Sequence, residues 1–234
     1  MENKIMKKNL QNNVFTKNFY EKSAWKANKT VCGIDEVGRG CLAGPLVTTA
    51  VIIPCNKTHS LLKDSKTLSQ KELLTAYRWI TGHCKYCIGV TSNVSIDKRN
   101  IYNATLISMK RTLMNLLATL HENPQIILID AMPLKITDTA YKNITVHHFC
   151  KGENKSTSIA AASIVAKVWR DQLMGKFEAL FPGYYLKDHK GYGTKKHKDA
   201  IDQQKHTIIH RKSFLTKYFK SDGECEHEEQ LSLF

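Results

Sequence analysis

Two short apolar runs in this chain end on carboxylates, and that pairing is the main constraint on its fold. "TVCGIDEVG" (30–38) reads as a β-strand that carries Asp35 and Glu36 near its end. "QIILID" (125–130) reads as another, closing on Asp130. If the two strands lie side by side, their acids converge at one edge of a sheet. Adjacent strand residues point to opposite faces, so Asp35 and Glu36 share one site only if the strand ends or bulges there. Gly38 and Gly40 permit such a break.

The remaining elements alternate around these two. "LVTTAVII" (46–53), "KYCIGVT" (85–91) and "ITVHHF" (144–149) read as three further strands. Ser69-Gln70-Lys71-Glu72 is a capping box, opening a helix with Leu73, Leu74, Tyr77 and Ile80 on one face. From Ser95 to about Leu120 apolar residues recur at helical spacing, and Pro124 separates this helix from the next strand. "STSIAAASIVAKVWRDQLMGKFEALF" (156–181) is a long helix, ended by Pro182-Gly183, and its small residues suit tight packing on a sheet. The order predicts an α/β domain with a mixed sheet flanked by helices and a helical C-terminal part. Residues 1–29 form a basic extension, read as a solvated arm with room for one short amphipathic helix. Residues 30–220 form the domain, and 221–234 an acidic flexible tail.

Charge narrows the function. The net charge is +14, and with the five acids of the tail set aside the remainder carries +19. Such a balance implies a polyanionic partner. No apolar run approaches a membrane span and the N-terminus lacks a secretory signal, so a soluble, cytoplasmic protein is expected. Seven cysteines at irregular spacing fit a reducing compartment. The lone CxxC, Cys84 to Cys87, reads as strand filler rather than a zinc site. Carboxylates converging at a sheet edge are hard oxygen ligands suited to Mg2+ or Mn2+. Two such ions about 4 Å apart can activate a water and stabilise a leaving oxygen at a phosphodiester. Acids to hold metal in a basic chain point to a nuclease or polymerase type of site.

Five stretches resemble the ribonuclease HII (type 2 ribonuclease H) family. They are "GIDEVGRGCLAGPLVTTAVI" (33–52), "LKDSKTLS" (62–69), "ILIDA" (127–131), "KGENKSTSIAAASIVAKVWRD" (151–171) and "HKGYGTKKH" (189–197), in the family's order. The resemblance implies a ribonuclease H-like fold and Mg2+- or Mn2+-dependent endonucleolytic cleavage of RNA in RNA–DNA hybrids. It implies incision 5′ of single ribonucleotides embedded in duplex DNA, leaving 3′-hydroxyl and 5′-phosphate ends. The family's four acids fall on Asp35, Glu36, Asp130 and Glu153. The last departs from the usual Asp and is one methylene longer, with Asp171 as the runner-up. Asp35 would bridge two ions, Glu36 and Asp130 would complete the first, and Glu153 the second.

For substrate choice, the resemblance places Gly38, Arg39 and Gly40 against the ribose 2′-hydroxyl, with Arg39 free to hold a phosphate. Tyr192 would stack on the neighbouring deoxyribose and read the RNA-to-DNA junction. Ser65 and Lys66 would support phosphate binding, with Ser163 nearby. Lys190, Lys195, Lys196 and Lys198 form a basic stripe for the duplex backbone. The closing "QLSLF" resembles the peptide by which bacterial replication and repair enzymes dock on the sliding clamp, through Gln230, Leu231, Leu233 and Phe234. A flexible acidic linker would tether it, and a monomer is expected. The competing readings are a non-catalytic hybrid-binding protein and a type 1-like ribonuclease H needing several consecutive ribonucleotides.

Overall fold

A computed structural model describes residues 18–221. All five expected strands are present: β1 (Val31–Val37), β2 (Leu46–Ile52), β3 (Lys85–Thr91), β4 (Ile126–Asp130) and β5 (Thr145–Phe149). They form one sheet in the order β3-β2-β1-β4-β5. Neighbours among β1, β2 and β3 are antiparallel, whereas β4 and β5 run parallel to β1 and to each other. The sheet is therefore mixed, as the element order predicts.

Helices cover both faces. On one, Cys32, Ile34, Ala50 and Ile52 pack against Met109, Leu113 and Leu116 of α4 (Ile101–Leu117), which follows α3 (Asn93–Arg99). On the other, Val51 meets α2 (Gln70–His83) at Leu73 and Ile80, and α5 (Thr157–Leu180) at Ala161 and Val165. Ser69 and Glu72 make the expected capping box at the start of α2. Each large aliphatic side chain buried this way contributes about 1.5–3 kcal/mol. The small residues of α5 let it lie directly on β1. A Cβ at Gly33 would sit 2.1 Å from the carbonyl carbon of Ser158, so that position tolerates only hydrogen.

Two segments differ from the sequence expectation. The single helix foreseen from Ser95 to about Leu120 is two helices, broken at Asn100, whose φ is +62°. With ψ at 161° this residue leaves the helical torsions altogether, and its side chain caps the next helix by accepting from the N–H of Asn103 at 3.0 Å. The basic extension holds α1 (Phe19–Lys26), the amphipathic helix for which the sequence left room, but it is not solvated. Tyr20 and Ala24 are buried on β1 and β4 residues. Glu21 is fully buried, accepting from the Ser158 N–H at 3.0 Å and from the Ser156 hydroxyl. It thus places an acid at the N-terminus of α5, where the helix dipole favours one. Residues 1–17 lie outside the described residues.

Beyond α5, α6 (Leu186–His189), α7 (Lys195–Gln204) and α8 (Lys212–Ser221) form the helical C-terminal part. It packs through Tyr184, Leu186, Ile201 and Leu215 onto Met174 of α5 and onto Leu42 and Ala43. No helix of the described residues is long and apolar enough to cross a membrane.

Candidate active site

The site opens where two strands stop matching. β1 pairs with β4 only as far as Ile34 and Ile129, while its ladder to β2 continues to Val37. From Asp35 onward one edge of β1 is free, and a cleft of about 300 Å³ opens beside it. The strand therefore neither ends nor bulges at Asp35, contrary to the sequence argument. The loss of its neighbour gives both Asp35 and Glu36 access to one cleft.

Three segments bring carboxylates to that cleft: Asp35 and Glu36 from β1, Asp130 from the end of β4, and Glu153 from a short 3-10 turn, Gly152–Asn154, after β5. The turn is pinned to β4, because Asp130 Oδ1 accepts the Gly152 N–H at 2.8 Å. Gly38, Arg39, Gly40, Ser65, Lys66 and Tyr192 line the same cleft. So do Ser163 and Lys167 of α5. Lys167 was missed by sequence reasoning; its spacing of four from Ser163 was the available signal, since such pairs share a helix face. Asp171 does not line the cleft; Lys167 Nζ holds it at 2.8 Å. Gln230, Leu231, Leu233 and Phe234 lie outside the described residues.

The acids are held in an environment that disfavours their charge. Burial, then the neighbouring Glu36 and Asp130 carboxylates, push Asp35 well above the usual carboxylate range. Burial raises Glu36 to about 7, against the opposing pull of Arg39. Buried oxygens Oε2 of Glu36 and Oε2 of Glu153 have no hydrogen-bond partner. The carboxylates line the cleft without meeting at a point. Among the described residues no three His, Cys, Asp or Glu side chains form a ready-made metal-ligand group. Like charges in a desolvated cleft repel, which favours such a spread arrangement. The donor set still fits a hard divalent cation: all oxygen, desolvated, with two orphaned acceptors that a cation would satisfy.

Around the acids, the loop after β1 departs from expectation twice. Arg39 is not free, because its Nη1 donates to Glu36 Oε1 at 3.2 Å. A half-exposed guanidinium three residues from a buried carboxylate finds it first. The two glycines also divide their work. A Cβ at Gly40 would meet nothing within 4 Å, so this position is open to a ligand. Gly38, at φ +90°, faces inward, and a Cβ there would lie 2.3 Å from Arg170 Nε.

Tyr192 is 41% exposed at the cleft, and its backbone is anchored from behind. His210 Nδ1 accepts the Thr207 N–H at 3.0 Å, so its proton sits on Nε2, 3.2 Å from His197 Nε2. His197 then carries its proton on Nδ1 and donates to the Tyr192 carbonyl at 2.9 Å. Burial keeps both imidazoles neutral, pulling each down to about 4. Of the basic stripe, Lys196 is already paired with Asp188 at 2.7 Å and lies over the Tyr185 ring.

A family model described as ribonuclease HII matches residues 32–217. The ribonuclease HII of Levilactobacillus brevis is 41% identical over 196 residues, covering 83% of this chain and 72% of that protein. That of Pediococcus pentosaceus is 46% identical over 189 residues, covering 79% and 69%. The ribonuclease HII of Archaeoglobus fulgidus, solved in complex with PCNA, superposes with a TM-score of 0.64 at 25% identity, over 78% of this chain and 94% of that one.

Proposed function

The chain belongs to the ribonuclease HII family, and from that premise we propose that it incises 5′ of single ribonucleotides embedded in duplex DNA. As a member it is a hydrolase, an endonuclease of the ribonuclease H class whose activity depends on a divalent metal. The reading extends to RNA in continuous RNA–DNA hybrids and to products with 3′-hydroxyl and 5′-phosphate ends.

One observation supports it most. Four acids from three separate segments line a single cleft, and two of them present buried oxygens with no partner. Asp35, Glu36, Asp130 and Glu153 would hold Mg2+ or Mn2+, as two ions in this reading. Bound there, the metal would acidify a water and stabilise the departing oxygen. Glu36 would help to hold that metal, and Arg39, which now pairs with Glu36, would then be available to a substrate phosphate. Ser65, Lys66 and Lys167 add donors on the same wall. Gly40 offers backbone without a side chain to the 2′-hydroxyl, the group that distinguishes RNA. Tyr192 offers an exposed ring to the adjoining deoxyribose.

The test is incubation with Mg2+ or Mn2+ and a duplex carrying one ribonucleotide. Incision on its 5′ side is expected. No incision sinks the proposal, and cutting confined to long hybrids favours a type 1-like enzyme. A second part of the reading concerns the tail, where "QLSLF" would dock on a sliding clamp. The archaeal relative solved with PCNA supports this choice of partner. Deleting residues 230–234 should abolish clamp binding and leave cleavage of short duplexes intact; a fall in catalysis or stability would refute it.

A further inference from the structure

Two arginines are fully buried, and among the described residues neither forms an ion pair. Arg170, on α5, donates to the carbonyls of Pro45 at 2.9 Å, Ala43 at 3.1 Å and Lys190 at 2.8 Å. Arg211, just before α8, donates to those of Gly38 at 2.6 Å, Arg39 at 2.8 Å and Gly44 at 3.0 and 3.1 Å. Every acceptor is backbone. They fall on only two stretches, the loop after β1 and the loop before Tyr192. A main-chain bond joins the same two stretches, the Leu42 N–H to the Gly191 carbonyl at 2.8 Å, and another ties in Arg211's own segment, the Arg211 N–H to the Leu42 carbonyl at 2.8 Å.

The backbone is shaped to admit these side chains. Gly38, Gly44 and Gly191 have φ of +90°, +83° and +86°. A Cβ on Gly38 would strike Arg170, and one on Gly191 would lie 2.4 Å from the Ala43 carbonyl oxygen. Desolvating a guanidinium is costly unless its donors are met. Here carbonyl dipoles meet them in a planar fork that lysine, with three donors on one nitrogen, cannot reproduce.

We propose that Arg170 and Arg211 are positioning residues that hold the ribose-facing loop and the Tyr192 loop in one frame. The proposal rests on the reading of Gly40 and Tyr192 given above. The two arginines differ in what they span. Arg170 bonds Ala43 and Pro45 at the far end of the first loop and Lys190 beside Tyr192, so it couples the loop of the ribose reader to that of the junction reader. Arg211 bonds only the first, so it sets that loop's shape.

The consequence is a split between substrates. Two are compared in Mg2+: a duplex with one embedded ribonucleotide, which presents a junction, and a continuous RNA–DNA hybrid. Arg170→Lys should lower kcat/KM for the first by about 10- to 100-fold more than for the second, as expected for an ångström-scale misplacement. Arg211→Lys should lower both alike. A folded Arg170→Lys protein with the wild-type ratio overturns the proposal. Failure of wild type itself to cut the single-ribonucleotide duplex overturns the underlying functional reading instead. If Arg170→Lys does not fold, Arg170→Gln is read the same way. Side-chain NMR on the unmodified protein gives an independent reading. Slowly exchanging Nη protons on both arginines support the frame, and exchange at the rate of solvent-exposed arginine overturns it.

Discussion

Two buried charge clusters among the described residues are opposite in more than sign. The arginine cluster is saturated at every nitrogen: Arg170 and Arg211 are fully buried, and each of their six guanidinium nitrogens donates to a backbone carbonyl. The carboxylate cluster is left wanting: Asp35 and Glu36 are held above their usual range, and Glu36 and Glu153 each keep a buried oxygen unpartnered. Buried polar groups normally find partners within the chain. A cluster that does so is scaffold. One that leaves carboxyl oxygens open at a cleft offers them to a cation or a hydrogen-bond donor.

The comparison breaks most sharply at Asp35. Asp35→Asn should cut cleavage by about 10²–10³-fold or more, the scale of losing one preorganised charge-stabilising group. Metal-free Asp35→Asn should also melt higher than wild type near neutral pH, because a strained charge has gone. A lower melting temperature would show that the acids are structural after all. On the saturated side, Arg211→Met removes the donors and strands the carbonyls. It should destabilise by at least about 3 kcal/mol, measured by urea unfolding, since each stranded buried acceptor costs roughly 1–3 kcal/mol. A loss under 1 kcal/mol would mean that water replaces the guanidinium and the saturation is unimportant.

Glu36 gives a smaller, pH-resolved effect. Its folded value is raised from 4.5 to about 7, so between these values the folded chain binds the proton more tightly than the unfolded one. The stability it contributes is full below about 4.5 and is lost as pH rises through about 7. The metal-free stability of Glu36→Gln relative to wild type should therefore increase between pH 5 and pH 8. Taking this difference cancels His197 and His210, which are depressed to about 4 and act in the opposite sense, losing stability as pH falls. A pH-independent difference would place Glu36 outside the strained cluster. Saturating Mg2+ should abolish the trend. Exposed charge sets the lower bound. Lys196 and Asp188 are paired at 2.7 Å with side chains half exposed or more, and Lys196→Ala should change stability by under about 0.5 kcal/mol.

How much of this could be read from the sequence follows from how local each feature is. Strand ends carrying acids are local, so Asp35, Glu36 and Asp130 stood out and the five strands were found in place. Glu153 needed the family pattern, since one acid in a turn has no periodicity. The break at Asn100 was hidden because the apolar spacing runs on through it, and only a backbone torsion marks it. Arg170 was hidden more deeply. Its neighbour Asp171 belongs to Lys167, and two of Arg170's acceptors lie 125 and 127 residues away. Which arginine is buried is decided by where distant carbonyls point, and no local pattern records that.

Glu21 has a practical consequence. Anyone trimming this protein to its recognisable motifs would start it near Thr30 and remove the carboxylate that sits on the first turn of the 24-residue helix α5. That helix carries Ser163 and Lys167 to the cleft, and its lead-in, from Gly152 to Ser156, carries Glu153. The shortened enzyme would keep every motif residue and lose the peg that fixes where one of its four acids stands.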